Sequence, residues 1–380
     1  MISLKFADMS EVSEQNAEIF GSKAVELKKL VELGFNVPKF FVVTQEVFDA
    51  VLELNDAKTE MEFLNTKLKG GNVKEILERQ SNLISNLKIP DQIADELYKR
   101  YLKLGYHPGA VKSAFDLVKQ QREIFVALRC SDPNPFLDTY TNIKGKSELI
   151  KAIKLCWMSH FSLKAYEYRQ KHPAQEPIAL IVQRMVLTEK AGEVDSPEQG
   201  VLRIRAFWGQ TGFLRHVKPD EYFVSEETNQ ISSKRVGLQQ HMFILDTQKE
   251  SFTKRGLPEE AKDTQVLEED EIVSIARIAH TVRQHLGNVS VEFGVSEGKT
   301  YLINVRKSIS KVEIKEEKME EQPKAEVKEV SEILEATPEV TESTHVEPEV
   351  APSEPKEEDL GIFSGILDEI EEQPSQEAKI

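Results

Sequence analysis

Apolar positions along the chain follow two periods. From Ser22 to Leu33, Val25, Leu27, Leu30, Val31 and Leu33 form an approximate helical stripe, and Gly34 sits where a helix C-terminus favours glycine. A helix is predicted over 22–33. Pro38 forbids its continuation, and Phe40-Phe41-Val42-Val43 reads as a buried strand. Thr44 can cap a following helix that carries Val47, Phe48, Val51 and Leu52 on its apolar side. From about residue 58 to 122 the pattern is helical. Pro90-Asp91 opens and Gly105 closes one helix there, with Ile93, Leu97, Tyr101 and Leu104 inward. This region shows no chemistry and reads as a helical insert packed on a sheet. Strand patterns return at 124–128. After a helical stretch over about 147–170 they recur at 178–183, 201–207, 222–224, 231–235, 289–294 and 301–305. Asn229-Gln230 and Glu297-Gly298 suit hairpin turns. One helix interrupts the strands over 268–286, with Ile272, Ile275, Ala276, Ile278, Ala279 and Val282 on its apolar face and Gly287 as its stop.

The pattern implies an α/β (α+β) body of two lobes, 1–175 and 176–310, the second richer in antiparallel strands. Charge separates this body from a tail. The chain has 380 residues and a net charge of −16, yet residues 311–380 hold 22 acidic and 7 basic side chains. The body is therefore close to neutral, which argues against a global nucleic-acid-binding surface. Residues 311–359 contain no aromatic residue and five prolines. They cannot bury enough apolar area to offset about 1–2 kcal/mol of backbone entropy per residue, so a disordered acidic linker is expected. Leu360, Ile362, Phe363, Ile366, Leu367 and Ile370 then recur at helical spacing. An amphipathic helix over 360–372 at the end of a long tether suggests docking into a partner's groove, with folding back on the body as the alternative. Two cysteines, Cys130 and Cys156, exclude a disulfide scaffold or a Cys-rich zinc module. The N-terminus has no signal-peptide core, and the longest apolar run, 178–182, is too short to span a membrane. A cytoplasmic protein is expected.

Three clusters could carry chemistry. Gly21-Ser22-Lys23 opens a helix, where free N–H groups and a lysine could meet phosphate, or serve only as a cap and a surface charge. Arg129 ends an apolar strand and could clamp a phosphate or pair with a carboxylate. Ser290 and Glu292 share one face of a strand, and Asn304 and Arg306 share one face of the next. If those faces coincide, hard oxygen ligands beside a guanidinium would suit a magnesium–phosphate complex. The alternative is a cross-strand Glu292–Arg306 ion pair.

Taken in order, several segments resemble the N-terminal ATP-binding domain of the phosphoenolpyruvate synthase and pyruvate phosphate dikinase family. They are Gly21-Ser-Lys-Ala-Val-Glu-Leu27, Val37-Pro-Lys-Phe-Phe-Val-Val-Thr44, Val126-Ala-Leu-Arg-Cys-Ser131, Ile181-Val-Gln-Arg-Met-Val186, Ala206-Phe-Trp-Gly209, Pro219-Asp-Glu-Tyr222, and Val291-Glu-Phe with Lys299-Thr-Tyr-Leu-Ile-Asn-Val-Arg306. The resemblance covers about residues 10–310 and implies a two-lobed ATP-grasp-type fold. It implies ATP and Mg2+ as ligands. Lys23 and Arg129 would meet the triphosphate, Glu292 and Asn304 the magnesium, Arg306 the phosphates, and Gln183 the nucleotide cleft. Arg129, Arg306 and Glu292 would serve in-line phosphoryl transfer. The chain departs from the family where an acidic residue gives way to Ser290, where Gln gives way to Asn304, and where the lid after Arg129 is shorter. No phosphohistidine motif is present. The resemblance therefore implies a stand-alone ATP-binding subunit that passes a phosphoryl group to an acceptor on another chain, such as a histidine that becomes a phosphohistidine. That chain would be docked through Leu360, Phe363, Ile366, Leu367 and Ile370. The departures leave open a degenerate, non-catalytic scaffold that works through its tail.

Overall fold

The chain opens with strand β1 (Phe6–Asp8), a short helix α1 (Ala17–Phe20), helix α2 (Ser22–Glu32) and strand β2 (Phe40–Val43). Helices α3 (Gln45–Leu54), α4 (Lys58–Lys67), α5 (Val73–Asn86) and α6 (Asp91–Leu104) come after them. Next are strands β3 (Val126–Cys130) and β4 (Thr139–Ile143), helices α7 (Gly145–Ser159) and α8 (Leu163–Lys171), and strand β5 (Leu180–Arg184). The later part contains β6 (Lys190–Glu198), β7 (Val201–Trp208), β8 (Asp220–Ser225), β9 (Ile231–Arg235), β10 (His241–Asp246) and β11 (Ser251–Gly256). Helices α9 (Glu259–Lys262) and α10 (Glu269–Leu286) lead into β12 (Val289–Ser296) and β13 (Lys299–Lys307), and β14 is Val327–Glu329. This computed structural model describes residues 6–105, 123–172, 176–246, 248–307 and 327–329. All lie within one unit, Met1–Ala336.

Two six-stranded sheets carry the fold, ordered β1-β2-β5-β3-β4-β14 and β13-β12-β6-β7-β8-β9, with β10 and β11 as a separate hairpin. The second sheet is antiparallel throughout. In the first, only the β4–β14 pairing is parallel. The continuous apolar run of β2 has a direct cause. Alternate side chains of a strand point to opposite faces. Phe41 and Val43 join one core with Phe48, Leu97 and Trp157 from the flanking helices. Phe40 and Val42 join a second core with Leu27 and Leu30 of α2, Ile275 and Ala279 of α10, and Val291 of β12. Helix α2 therefore packs with both sheets. That arrangement places Lys23, in its first turn, between them.

A buried carboxylate ties β8 of the second sheet to the segment just after β9 and to the one just before α10. Asp220 is 2% exposed. It accepts hydrogen bonds from the N–H of Gly237, the N–H of Val266 and the hydroxyl of Tyr222, each at 2.7 Å. Bonds to an ionised acceptor contribute about 1.5–3 kcal/mol, and orphaned donors add a penalty. Asp220→Ala should lower unfolding free energy by about 2–3 kcal/mol in a urea titration. A midpoint unchanged from wild type would show that these bonds do not hold the sheet.

Helix α2, strand β2, helix α10 and the β12–β13 hairpin form where the pattern predicts them. Asn229 and Glu297 adopt positive φ in their turns, as hairpin turns of this kind require. The helical stretch predicted over about 147–170 consists of two helices, with Ser162 capping α8 by accepting the N–H of Ala165. Strands β1, β4, β6, β10, β11 and β14 lie outside the predicted set. The first sheet also takes β5 from beyond residue 175, so the change of sheet falls between Arg184 and Lys190. Of the linker expected over 311–359, only the β14 residues are described. The rest of it, and the helix expected over 360–372 with Leu360, Phe363, Ile366, Leu367 and Ile370, lie outside the described residues. Among the described residues no helix is long and apolar enough to cross a membrane.

Candidate functional site

Strand register assembles the site. Arg129 stands opposite Thr139 on β4 and Ile181 on β5, and Ala127 stands opposite Gln183. Directly opposed residues share a face, so Arg129, Ala127, Gln183, Thr139 and Thr141 all face one side of the first sheet. In the second sheet Ser290 opposes Arg306 and Glu292 opposes Asn304. The two faces anticipated from the sequence are therefore one face. A cleft joins the two surfaces. It is lined by Arg129, Thr139, Thr141 and Gln183 from the first sheet, Glu292, Ile303 and Arg306 from the hairpin, and Thr211 and Gly212. The connection Arg184–Val186 borders it too, and the space measures about 530 Å³ including volume open to solvent.

Three buried polar atoms of this cleft lack hydrogen-bond partners among the described residues. Arg129 is 5% exposed and Gln183 is 1% exposed. Arg129 Nε, Gln183 Nε2 and Thr141 Oγ1 make no hydrogen bond. Buried polar groups are normally paired, and an orphan costs on the order of 1–3 kcal/mol. Three such orphans lie on one cleft, whose charged lining is mostly basic, with Arg129, Arg184 and Arg306 against Glu292. Burial, with Arg306 and Arg129 behind it, lowers the ammonium pKa of Lys23 to about 8. Burial also lowers that of Arg129, opposed by Glu292 and reinforced by Arg306. Neither Lys23 nor Arg129 has an ion pair among the described residues. Glu292 opposes Arg129, Asp132 and Glu26 lie within the field of Lys23, and Arg306 approaches Glu292 at only 3.7 Å. Lys23 and Asn304 do not line the cleft itself. Asn304 adjoins Glu292 across the hairpin, and Lys23 lies close enough to feel both arginines.

The start of α2 differs from the expectation. Its first N–H groups are not free for phosphate. Ser22 donates to Glu176 Oε2 at 3.0 Å, Ala24 to Ser131 Oγ at 3.0 Å, and Lys23 to Ser131 O at 3.4 Å. Ser131 is itself held by its N–H to Ala179 O at 2.8 Å. The helix end is thus satisfied internally and serves to place the Lys23 side chain. Sequence reasoning missed Ser131 and Glu176 in this role. It also missed Thr139, Thr141 and the Arg184–Val186 border. The alternation in Thr139-Tyr140-Thr141 was the available signal for β4.

Glu292 and Asn304 offer hard oxygen ligands of the kind magnesium takes, beside cations suited to phosphate. No group of three or more His, Cys, Asp or Glu able to hold a metal occurs among the described residues. A cation here would depend on few protein ligands together with phosphate oxygens, as magnesium commonly does.

The fold and cleft define an α/β domain with a cleft between two sheets lined by Arg129, Arg184, Arg306 and Glu292. The chain matches the family described as "Pyruvate phosphate dikinase, AMP/ATP-binding domain" over residues 17–328. It belongs to that family. Among its relatives is a probable phosphoenolpyruvate synthase of Methanocaldococcus jannaschii, 27% identical, matched over 80% of this chain and 27% of that protein. The probable phosphoenolpyruvate synthase of Methanothermobacter thermautotrophicus is also 27% identical, over 79% of this chain and 45% of that protein. An uncharacterized phosphotransferase of Bacillus subtilis, YvkC, is 24% identical over 77% of this chain and 34% of its own length. The chain therefore spans less than half of each of these proteins.

Proposed function

We propose that this chain binds Mg–ATP in the cleft and transfers a phosphoryl group from it to an acceptor carried by another chain, within an ATP-grasp-type architecture. The observation that carries the reading is the cluster of Lys23, Arg129 and Arg306, in which neither Lys23 nor Arg129 forms an ion pair among the described residues and Arg306 approaches Glu292 only at 3.7 Å. Such a cluster is unfavourable empty and becomes favourable when a polyphosphate enters. Arg129 and Arg306 would hold and orient phosphate oxygens, and Lys23 would add a third charge. Gln183 and Thr141 would complete the polar lining. Glu292 and Asn304 would hold magnesium, which supplies neutralisation of charge on the transferring group. In-line phosphoryl transfer asks the protein chiefly for position and charge, which this constellation provides. The acceptor is proposed to be a histidine, which becomes a phosphohistidine as ADP leaves, on a protein docked through Leu360, Phe363, Ile366, Leu367 and Ile370.

The pKa of Lys23 gives a test of sign. In the free fold its pKa lies at about 8, below the ordinary 10.5. Phosphate binding favours the protonated form and raises that value, so binding takes up a proton at higher pH. ATP affinity should be flat below about pH 7.5 and should fall as pH rises through 8, by up to about tenfold per unit. Lys23→Met should remove this dependence. A wild-type affinity constant from pH 7 to 9.5, measured by calorimetry, would count against Lys23 as a phosphate contact. The same shift acts on stability. The unfolded chain holds the proton more tightly between pH 8 and 10.5, so Lys23 contributes a rise in stability of the free protein across that window.

A second reading rests on the Glu292–Arg306 contact. If that pair persists with nucleotide present, the domain is a non-catalytic scaffold. Mixing the chain with ATP, Mg2+ and a candidate histidine-bearing partner separates the two readings. Phosphoryl transfer above background supports the first, and bound ATP without transfer to any partner supports the second.

A further inference from the structure

The pairing of β6 with β12 places Glu193 directly opposite Glu292, and that of β6 with β7 places Arg205 directly opposite Glu193. Asn304 lies on the other side of Glu292. Asn304, Glu292 and Glu193 therefore form one row across three strands, on one face of the sheet. Like charges directly opposite one another on a sheet are destabilising unless something between them compensates.

Each carboxylate is engaged on one side only. Arg205 donates to Glu193 Oε2 at 2.9 Å, and Arg306 stands 3.7 Å from Glu292 Oε2. Arg205 does not depend on Glu193, because it also reaches Asp195 Oδ2 at 3.3 Å. Asp195 is in turn held by Arg203 through two bonds of 2.9 and 2.6 Å. Glu193 can therefore turn towards a cation without leaving Arg205 alone. A separate observation points to a ligand. Asn304 is 4% exposed, and its side chain makes no hydrogen bond among the described residues. Its amide oxygen, in register with two carboxylates, is of the kind a hard divalent cation takes.

We infer that Glu193 is a second carboxylate of the cation site, and that a divalent cation is shared by Glu193, Glu292 and Asn304. This rests on the nucleotide reading for its setting, but not for its test. It supplies, from the neighbouring strand, an acidic group where the hairpin itself has the neutral Ser290.

The test uses Mn2+ as the probe, with free Mn2+ read by its electron paramagnetic resonance signal. The full chain is titrated once alone and once with a non-hydrolysable ATP analogue. Glu193→Gln keeps an oxygen for Arg205 and should fold. Its Mn2+ affinity should fall by about tenfold or more in both titrations. Asp195→Asn alters the same ion-pair network one step further away and should stay within about twofold of wild type. Glu193→Asp should recover part of the loss, which a purely structural role for Glu193 would not predict. Equal Mn2+ binding by wild type and Glu193→Gln, or no Mn2+ binding by wild type in either titration, overturns the inference. Binding of the analogue is followed separately by calorimetry with chelator present. A chain that takes Mn2+ through Glu193 but no analogue would refute the nucleotide reading and leave the cation site standing.

Discussion

Arg129→Met should weaken ATP binding by roughly thirtyfold to a thousandfold, some 2–4 kcal/mol, while leaving the free protein as stable as wild type or more so. The two effects have one cause. The guanidinium is buried at the end of β3, its Nε makes no hydrogen bond, and Arg306 and Lys23 lie within its field. A buried cation that Glu292 compensates only in part destabilises the empty fold. Methionine fills similar volume without the charge, so the free state is relieved. The same charge is what a triphosphate meets. A structural arginine would behave in the opposite way, since its removal would orphan a partner and lower stability. Urea unfolding and calorimetric ATP titration of the one variant separate the cases. Lower stability with unchanged ATP affinity would show that Arg129 holds the fold and not the ligand.

Gly21→Ala should be the more damaging change to structure. Gly21 has φ of +78°, a conformation that costs an L-residue on the order of 1–3 kcal/mol. A Cβ there would also fall 2.3 Å from Ser131 O and 2.6 Å from Ser131 Oγ. Backbone cannot yield as the end of a flexible side chain can, so overpacking adds a similar amount. The expected loss is about 3–5 kcal/mol. Its consequence is specific, because Ser131 is the residue that satisfies the start of α2. Pushing the two apart moves Lys23 away from the arginines. Any folded fraction of the variant should therefore bind ATP more weakly, and its affinity should lose the decline above pH 8. A variant with wild-type melting and wild-type pH dependence would show that the Gly21–Ser131 contact is dispensable.

Much of the architecture was readable in the chain because burial on one face leaves a period. Helix α10 and strand β2 have such periods, and Asn229-Gln230 and Glu297-Gly298 carry the backbone freedom their turns need. The common face of Glu292 and Asn304 came from strand alternation plus one short turn, which fixes register. Strand β6 was hidden for a physical reason. It carries Gly192, Pro197 and alternating charges, and its pairing with β12, far away in sequence, together with the adjacent β7, makes it a strand. A Cβ at Gly192 would meet Arg205 O at 2.2 Å, a close approach that no local pattern reveals. Glu193 was invisible as a site candidate for the same reason, since its relation to Glu292 exists only in the assembled sheet. The capping of α2 by Ser131 and Glu176 likewise depends on contacts spanning more than a hundred residues.

The central claim is that Lys23, Arg129 and Arg306 converge on one polyphosphate. Calorimetric titration of the full chain with AMP, ADP and ATP at pH 7 and fixed low salt tests it most directly. Affinity should rise with each phosphate, and ATP should bind at least about a hundredfold more tightly than AMP, because charge-assisted contacts to the terminal phosphates carry the binding. Equal affinities for the three nucleotides, or heat from none of them, would contradict it.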